Sequence, residues 1–181
     1  MTAGPLGLLN LLETHLGLLR AAVAPADRVV QMRQCLGQAL TPYRFYARSF
    51  EADELGTAAT LLAWRDRWYE HGWDGRDPGG SPRLADMGAV EARAAGAVAP
   101  GVGQRLAAVM AALDVRRPQI ERIDLLDPLE DFPPAWQRVL ARLPVAAPPA
   151  VVPQARPGTL LHDLQHALLA AAGGERVAPL A

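Results

Sequence analysis

Two histidines near the end of the chain have a spacing that suits a metal ion. His162 and His166, in the string HDLQH, are four residues apart and would share one face of a helix. Zinc proteases use this spacing in H-E-x-x-H, where the glutamate activates a metal-bound water. Here Asp163 takes that place with a shorter arm, and the sequence offers no evident third ligand. A small metal-dependent hydrolase is therefore one hypothesis, and two surface histidines on a helix are the favoured interpretation.

Two aspartates lie at the end of a predicted strand. Carboxylates in the position of Asp124 and Asp127 hold Mg²⁺ in some nucleotide-hydrolysing folds. The string has no adjacent Asp–Glu pair, and no glycine-rich phosphate loop accompanies it. The favoured interpretation is that Asp127 and Asp131 cap turns and a helix.

Eight of the ten aromatic residues fall between Tyr43 and Trp73. A stacking surface for single-stranded nucleic acid would have such a composition. However, Trp64 and Trp68 have helical spacing among leucines, and the four arginines of this run face five acids, which favours core packing. A solvated surface is the default for the remaining cations, although any of them could contact phosphates. The candidates for DNA contact are Arg44, Arg48, His71, Arg116 and Arg117.

Composition excludes several kinds of chemistry. All 18 Lys and Arg positions are arginine, which removes a P-loop lysine, a Schiff-base lysine and the lysine of a PD-(D/E)XK nuclease motif. The single cysteine, Cys35, allows no intrachain disulfide and lies on a predicted apolar face, so a buried thiol is expected. The net charge of −1 gives no general attraction to nucleic acid or to an anionic membrane.

The chain of 181 residues carries no sign of a membrane segment. No apolar stretch of about 20 residues is free of charges, so we expect no transmembrane helix and no membrane partner. The first residues lack the basic region of a signal peptide, and Glu13 and His15 interrupt their apolar run. These observations predict a cytoplasmic location.

Apolar residues recur at three- and four-residue spacing through most of the chain, which predicts helices. Asp53 is expected to cap one of them, and Gly72 to end it in a left-handed conformation on which Trp73 folds back. The segment Tyr43 to Phe50 is predicted to be partly extended. The predicted helices cover residues 6–20, 25 to before Pro42, 54–71, 83–95, 102–113, a segment from Pro133-Pro134 onward, and 159–171.

Two segments predict strands on either side of the helix that follows Pro133-Pro134. They are IERIDLLDP, residues 120–128, and residues 145–152, where two prolines favour an edge or a loop. Strand–helix–strand of this length predicts a small βαβ unit. We therefore predict a mainly α fold with a small α/β part. A helical bundle-like subdomain, residues 4–115, packs on a βαβ-like unit with the C-terminal helix, residues 116–181, as one compact unit.

The aromatic run also carries a family resemblance. SFEADELGTAATLLAWRDRWYEHGWDG resembles a segment of bacterial proteins of the PD-(D/E)XK nuclease family or inactivated superfamily I helicases, akin to AddB and RecC. Three further stretches fit in the same order: GPLGLLNLLETHLGL, IERIDLLDPLEDFPPAWQRVLARL and LLHDLQHALL. Together they span most of the chain, from about Gly4 to Leu169. None is a catalytic motif, so the resemblance rests on their order and spacing.

The resemblance implies a part in ATP-dependent processing of DNA ends, as in recombinational repair. The chain would be a fragment near the N-terminus of a longer protein, because it lacks the family's phosphate loop and nuclease motif. No catalytic, cofactor-binding or metal-binding residue can be carried over, and ATP and Mg²⁺ would belong to the parent complex. The expected role is a non-catalytic helical domain that shapes a DNA path or docks a helicase–nuclease partner subunit. A protein-interaction module unrelated to DNA stays open as the alternative, beside the less favoured hydrolase.

Overall fold

The computed structural model describes residues 2–77, 79–146 and 155–172. This part contains eight α-helices and one pair of short strands, so the predicted mainly α fold with a small α/β part is confirmed. The chain forms two compact units, the first ending at Ala147 and the second starting at Pro148. The elements are α1 (Pro5–Leu16), α2 (Pro25–Ala39), α3 (Ala47–Ala52), α4 (Glu54–Glu70), α5 (Pro82–Ala94), α6 (Val102–Leu113), β1 (Ile123–Asp124), a 3₁₀ turn (Leu129–Asp131), α7 (Pro134–Leu140), β2 (Val145–Ala146) and α8 (Leu160–Ala172).

Both ends of α4 form as the sequence predicts. An Asp53 carboxylate oxygen accepts a hydrogen bond from the Gly56 N–H at 2.8 Å, which satisfies a free donor of the first turn. Gly72 takes the left-handed conformation, with φ +99°. The Trp73 N–H then donates to the Trp68 carbonyl at 2.9 Å, as in a Schellman cap. Local residue chemistry therefore fixes the length of this helix.

Two local predictions were wrong. Helix α1 ends at Leu16 instead of Arg20, because Gly17 adopts φ +71° and closes the helix. The segment from Tyr43 to Phe50, predicted as partly extended, consists of turns followed by the start of α3. Tyr46 and Phe50 are four residues apart, so the helical turn directs both rings into the same core.

The first unit contains two apolar clusters. One lies between α2, α3, α4 and α5 and includes Cys35, which is buried as predicted. The other joins α1, α6 and α7 and contains the buried residues Trp136 and Val139. Helix α4 contacts α6 and α7 as well as α2 and α3. This helix therefore links the two clusters.

The two strands form a parallel pair, and α7 lies between them in the sequence. Ile123 pairs with Val145 and Asp124 with Ala146, so the predicted strand–helix–strand order is confirmed. Each strand has only two residues, since the chain turns into the 3₁₀ segment soon after Asp124. The end of the second predicted strand, residues 147–152, lies outside the described residues.

In the second unit, α8 begins after Thr159, whose Oγ1 accepts a hydrogen bond from the His162 N–H at 3.3 Å. Its leucines recur at the three- and four-residue spacing of a buried helix face, but they are exposed. Their exposed fractions run from 43% to 76%, for Leu160, Leu161, Leu164 and Leu168. The described part of this unit is one helix and a short preceding segment, which offer little apolar surface to pack against. None of the described helices has the length and hydropathy needed to cross a membrane.

Candidate nucleic-acid interface

Arg44, one of the predicted DNA contacts, is already paired with an acidic residue in the fold. Its Nη1 lies 2.6 Å from Oδ1 of Asp86 in α5, and the other carboxylate oxygen of Asp86 accepts from the Phe45 N–H at 2.9 Å. This arrangement fastens the turn before α3 to α5. The charge of Arg44 is balanced by Asp86, so a phosphate would have to compete with a nearby carboxylate.

Arg48 and His71 are exposed, at different ends of the α3–α4 segment. Arg48 lies on α3 and forms no ion pair within the part of the chain that the structure describes. His71 follows the last turn of α4, where its Nδ1 lies 2.8 Å from the Arg67 carbonyl oxygen. One ring nitrogen therefore faces its own helix.

Arg116 and Arg117 follow α6 on the side of the second apolar cluster. Arg116 Nη1 donates to the Leu16 carbonyl at 3.1 Å, which satisfies a free acceptor at the end of α1. Arg117 is exposed. The side chains of Arg44, His71 and Arg116 contact three different helices, α5, α4 and α1. Their described contacts therefore do not point to one common site.

The two histidines of α8 do lie side by side. The ring centroids of His162 and His166 are 4.8 Å apart, as their four-residue spacing predicts. His162 Nδ1 is 3.3 Å from an Asp163 carboxylate oxygen. In residues 2–77, 79–146 and 155–172, no group of three His, Cys, Asp or Glu side chains could hold a metal ion.

Among the described residues, the side chain of Asp124, at the end of β1, makes only a local contact. Asp124 accepts a hydrogen bond from Arg122 Nε at 2.7 Å on the exposed surface. Helix α7 starts after Pro133 without a side-chain cap, so the prediction that Asp131 caps this helix was wrong. Gln137 fastens the turn instead, because its amide donates to the Phe132 carbonyl at 2.7 Å.

A buried ion pair between α4 and α5 was missed by sequence reasoning. Arg65 is 0% exposed, and its Nε and Nη2 donate to the two oxygens of Glu91 at 2.5 and 2.8 Å. The Tyr69 hydroxyl donates to Glu91 at 3.0 Å, and Arg65 Nη1 donates to Gln104 of α6 at 3.1 Å. The network therefore connects three helices. A signal was present, since Arg65 continues the apolar stripe of α4 that includes Leu61 and Leu62.

The network raises the pKa values of Tyr69 and Arg65. Burial raises the pKa of Tyr69 to about 12, with further contributions from the charge of Glu91 and the hydrogen bond to it. Burial alone would lower the pKa of the Arg65 guanidinium, but the hydrogen bonds and charge of Glu91 outweigh it and raise that pKa. Arg65 is therefore charged at neutral pH.

Two further ion pairs border a cleft of about 380 Å³ between α1, α2 and the segment before α6. Arg28 binds both carboxylate oxygens of Asp66 at 2.7 and 2.8 Å, and Arg105 binds both of Glu13 at 2.9 and 2.6 Å. Arg20 also lines this cleft. The two paired arginines hold helices together, so most of the positive charge here is balanced.

The aromatic residues form a connected row. Trp64 lies 6.1 Å from Trp68, and Trp68 lies 5.6 Å from Trp73, as measured between ring centroids. Phe45 is parallel to Trp64 within 9°, at 6.4 Å. Trp68, Trp73 and Phe45 pack partly buried against the first cluster, in line with the predicted core packing. Trp64 differs, because 40% of it is exposed.

The fold and these contacts define a mainly helical protein with a short parallel βαβ unit and a row of partly buried aromatic rings in which Trp64 is exposed. Comparisons with protein-family models, with curated proteins and with solved structures found no match to the chain.

Proposed function

We propose that this chain is a non-catalytic helical domain of an AddB/RecC-like helicase–nuclease protein. The parent would carry out ATP-dependent processing of DNA ends in recombinational repair, with ATP and Mg²⁺ as its cofactors. The domain would help to shape a DNA path or dock a partner subunit. The observation that carries the proposal is the sequence resemblance of four stretches in one order.

The resembling stretches include much of the first unit's core. GPLGLLNLLETHLGL contains α1, and the stretch around PPAWQRVLARL contains α7. These two helices share the second cluster, in which Leu9, Leu12 and Trp136 are buried. The aromatic stretch contains α4, which contacts helices of both clusters. Spacing between such stretches is constrained by packing, which supports the use of their order as a family signal.

The charged residues of this unit support a scaffolding role. Arg28, Arg65 and Arg105 each bind both oxygens of a carboxylate on another helix. For Arg105 of α6, that carboxylate is Glu13 of α1. Two-point contacts fix the relative rotation of helices as well as their distance. A domain that positions DNA or a partner needs such rigidity more than it needs reactive groups.

A binding assay with DNA tests the proposal. We expect the chain to bind a fluorescein-labelled duplex with a single-stranded tail at low salt, with an anisotropy change that weakens as salt increases. No binding of the tailed duplex at low salt, by this chain or by the longer protein that contains it, would contradict a DNA role. A blunt duplex and an uncharged morpholino oligomer are the controls for strand type and backbone charge.

One observation favours the alternative of a protein-interaction module unrelated to DNA. The exposed leucines of α8, among them Leu160 and Leu168, form the apolar surface that a partner helix could cover. A stable complex with a partner that survives nuclease treatment, together with absence of DNA binding, would establish that alternative. Binding of DNA that is unaffected by Leu160→Ser and Leu168→Ser would instead support the first proposal.

A further inference from the structure

Trp64 and Phe45 present an aromatic surface that the fold does not fully cover. Their rings are nearly parallel, with an interplanar angle of 9° and centroids 6.4 Å apart. Trp64 is 40% exposed, and Trp68 supports it from the next turn of α4. A tryptophan held by two aromatic neighbours keeps one orientation, which lowers the entropy lost when a flat ligand stacks on it.

Two arginines border this surface. The Arg83 guanidinium of α5 lies 5.8 Å from the centroid of the Phe45 ring. Arg67 is three residues after Trp64 and is exposed, so it lies on the neighbouring part of the same helix. The exposed positions of α4 around Trp64, positions 60, 63, 64 and 67, carry no acidic residue, and the half-buried Glu70 follows on the next turn. We call Phe45, Trp64, Arg67 and Arg83 the aromatic–arginine patch.

The arginines of this patch differ from the arginines that form ion pairs elsewhere in the fold. Arg28, Arg44 and Arg65 each have a carboxylate partner at 2.8 Å or less. Neither Arg67 nor Arg83 forms an ion pair within the described ranges. Two acids follow them by three residues: the half-buried Glu70 after Arg67, and Asp86, which is paired with Arg44, after Arg83. Arginines without a direct ion-pair partner beside an exposed ring are complementary to a ligand with flat apolar rings and negative charge.

We propose that the aromatic–arginine patch binds single-stranded DNA, with a base stacked on Trp64 and phosphates near Arg67 and Arg83. This inference rests on the proposed role in DNA processing and names the surface that contacts the strand. A single strand fits better than a duplex, because only unpaired bases can leave their own stack to lie on a protein ring. Stacking is tolerant of sequence, so the patch would accept any base.

The test uses the whole chain and a fluorescein-labelled oligothymidylate of about 20 nucleotides, which is longer than typical single-strand site sizes. Loss of one stacking contact of about 1–3 kcal/mol corresponds to a loss of about 5- to 150-fold in affinity. We therefore expect Trp64→Ala to weaken binding within that range. Leu55→Ala, which removes another exposed apolar side chain of α4, should leave affinity unchanged.

A second pair of variants tests the phosphate contacts. Arg83→Gln should weaken binding and reduce the slope of log affinity against log salt by about 1. Arg93 is an exposed arginine of the same helix that lies away from Phe45. Arg93→Gln removes the same charge and should leave the slope of log affinity against log salt unchanged. Circular dichroism melting of all four variants shows whether each retains the fold.

The outcomes separate the two proposals. If the tailed duplex binds and Trp64→Ala binds as tightly as Leu55→Ala, the DNA role stands and the patch is not its strand site. If no DNA binds at all, both proposals fail. If light scattering shows a dimer that Trp64→Ala converts to a monomer while DNA binding is unchanged, a second copy covers the patch, and the inference is overturned.

Discussion

The guanidinium of Arg65 in α4 is clamped by both carboxylate oxygens of Glu91 in α5, at 2.5 and 2.8 Å, and neither side chain reaches the surface. Tyr69 and Gln104 complete the hydrogen bonding of this pair. Among the described residues, no buried side-chain nitrogen or oxygen lacks a hydrogen-bond partner. The pair therefore specifies how α4, α5 and α6 meet, because a different packing would leave buried charges unpaired.

Removal of the Glu91 charge should destabilise the protein strongly. Glu91→Gln removes the directly hydrogen-bonded counter-charge of the buried Arg65 guanidinium and leaves only Asp66, whose carboxylate oxygen is 4.0 Å from Nη1. Loss of one partner of a buried pair costs about 3–5 kcal/mol. We expect a decrease of about 3 kcal/mol in the free energy of unfolding, measured by guanidinium chloride denaturation.

The matched control for this variant is Glu54→Gln. Glu54 pairs with Arg33 at 2.7 Å, but both side chains are largely in solvent, so the expected cost is below about 1 kcal/mol. The double variant Arg65→Met, Glu91→Met should be more stable than Glu91→Gln, since no charge is left buried. Equal costs for Glu91→Gln and Glu54→Gln would show that the buried pair does not specify the packing.

A methyl group at Gly103 should separate α4 from α6. A Cβ built there would lie 2.5 Å from the Glu70 nitrogen and 2.5 Å from the Tyr69 carbonyl carbon, which are backbone atoms that cannot move alone. We expect Gly103→Ala to lower the free energy of unfolding by about 3 kcal/mol, as for overpacking that shifts backbone. Thermal and denaturant unfolding measure this change.

Gly37 provides the opposite case within α2. A Cβ there would come no closer than 3.9 Å, to the ring of Phe50, which is ordinary contact. Gly37→Ala should therefore stabilise the protein by about 0.5–1 kcal/mol through helix propensity. A similar effect of alanine at the two positions would argue against the close approach of α4 and α6.

Tyr69 should make stability depend on pH in the alkaline range. Its pKa rises from 10.0 to about 12 in the folded protein, so between these values the unfolded state loses the proton first. The stability that Tyr69 contributes is therefore fully present below pH 10 and is lost as pH rises towards 12. One titrating group can lower the free energy of unfolding by at most about 1.4 kcal/mol per pH unit. Because Tyr69 is partly exposed, we expect a decrease of about 1 kcal/mol per pH unit.

Denaturant unfolding at pH 9, 10 and 11 measures this dependence. Tyr69→Phe should show a shallower decrease in stability between pH 10 and 11 than the unchanged protein. Tyr43→Phe is the control, because Tyr43 is 95% exposed and contributes no buried hydroxyl. Identical slopes for Tyr69→Phe and the unchanged protein would contradict the raised pKa.

The starts of α2 and α7 and both ends of α4 were predictable from sequence because local chemistry sets them, whereas the end of α1 and the presence of α3 were not. Pro25 and Pro134 start α2 and α7 where a missing N–H costs nothing, and Asp53 and Gly72 fix the ends of α4. The paired strands were predictable as to order but shorter than expected. Their extent depends on hydrogen bonds between segments about 20 residues apart, which alternation within one segment does not encode.

The polar contacts between helices were not predictable. Arg65 could be recognised as a charge in an apolar stripe, but its partner Glu91 is 26 residues away on another helix. Arg44 is a predicted DNA contact because it flanks the aromatic residues, whereas the fold pairs it with Asp86. Trp64 was expected in the core from its helical spacing, yet it lies at the edge of the stripe and remains 40% exposed. Such assignments depend on how helices rotate against each other.

The most direct measurement is the anisotropy of a labelled duplex with a single-stranded tail, titrated with the chain at several salt concentrations. The account predicts binding at low salt. The logarithm of the association constant should fall linearly with the logarithm of salt concentration, with a slope of about −1 to −2 for contacts from Arg67 and Arg83. Trp64→Ala should weaken this binding, and Leu55→Ala should not. Absence of binding at the lowest salt would contradict the proposed role in DNA processing.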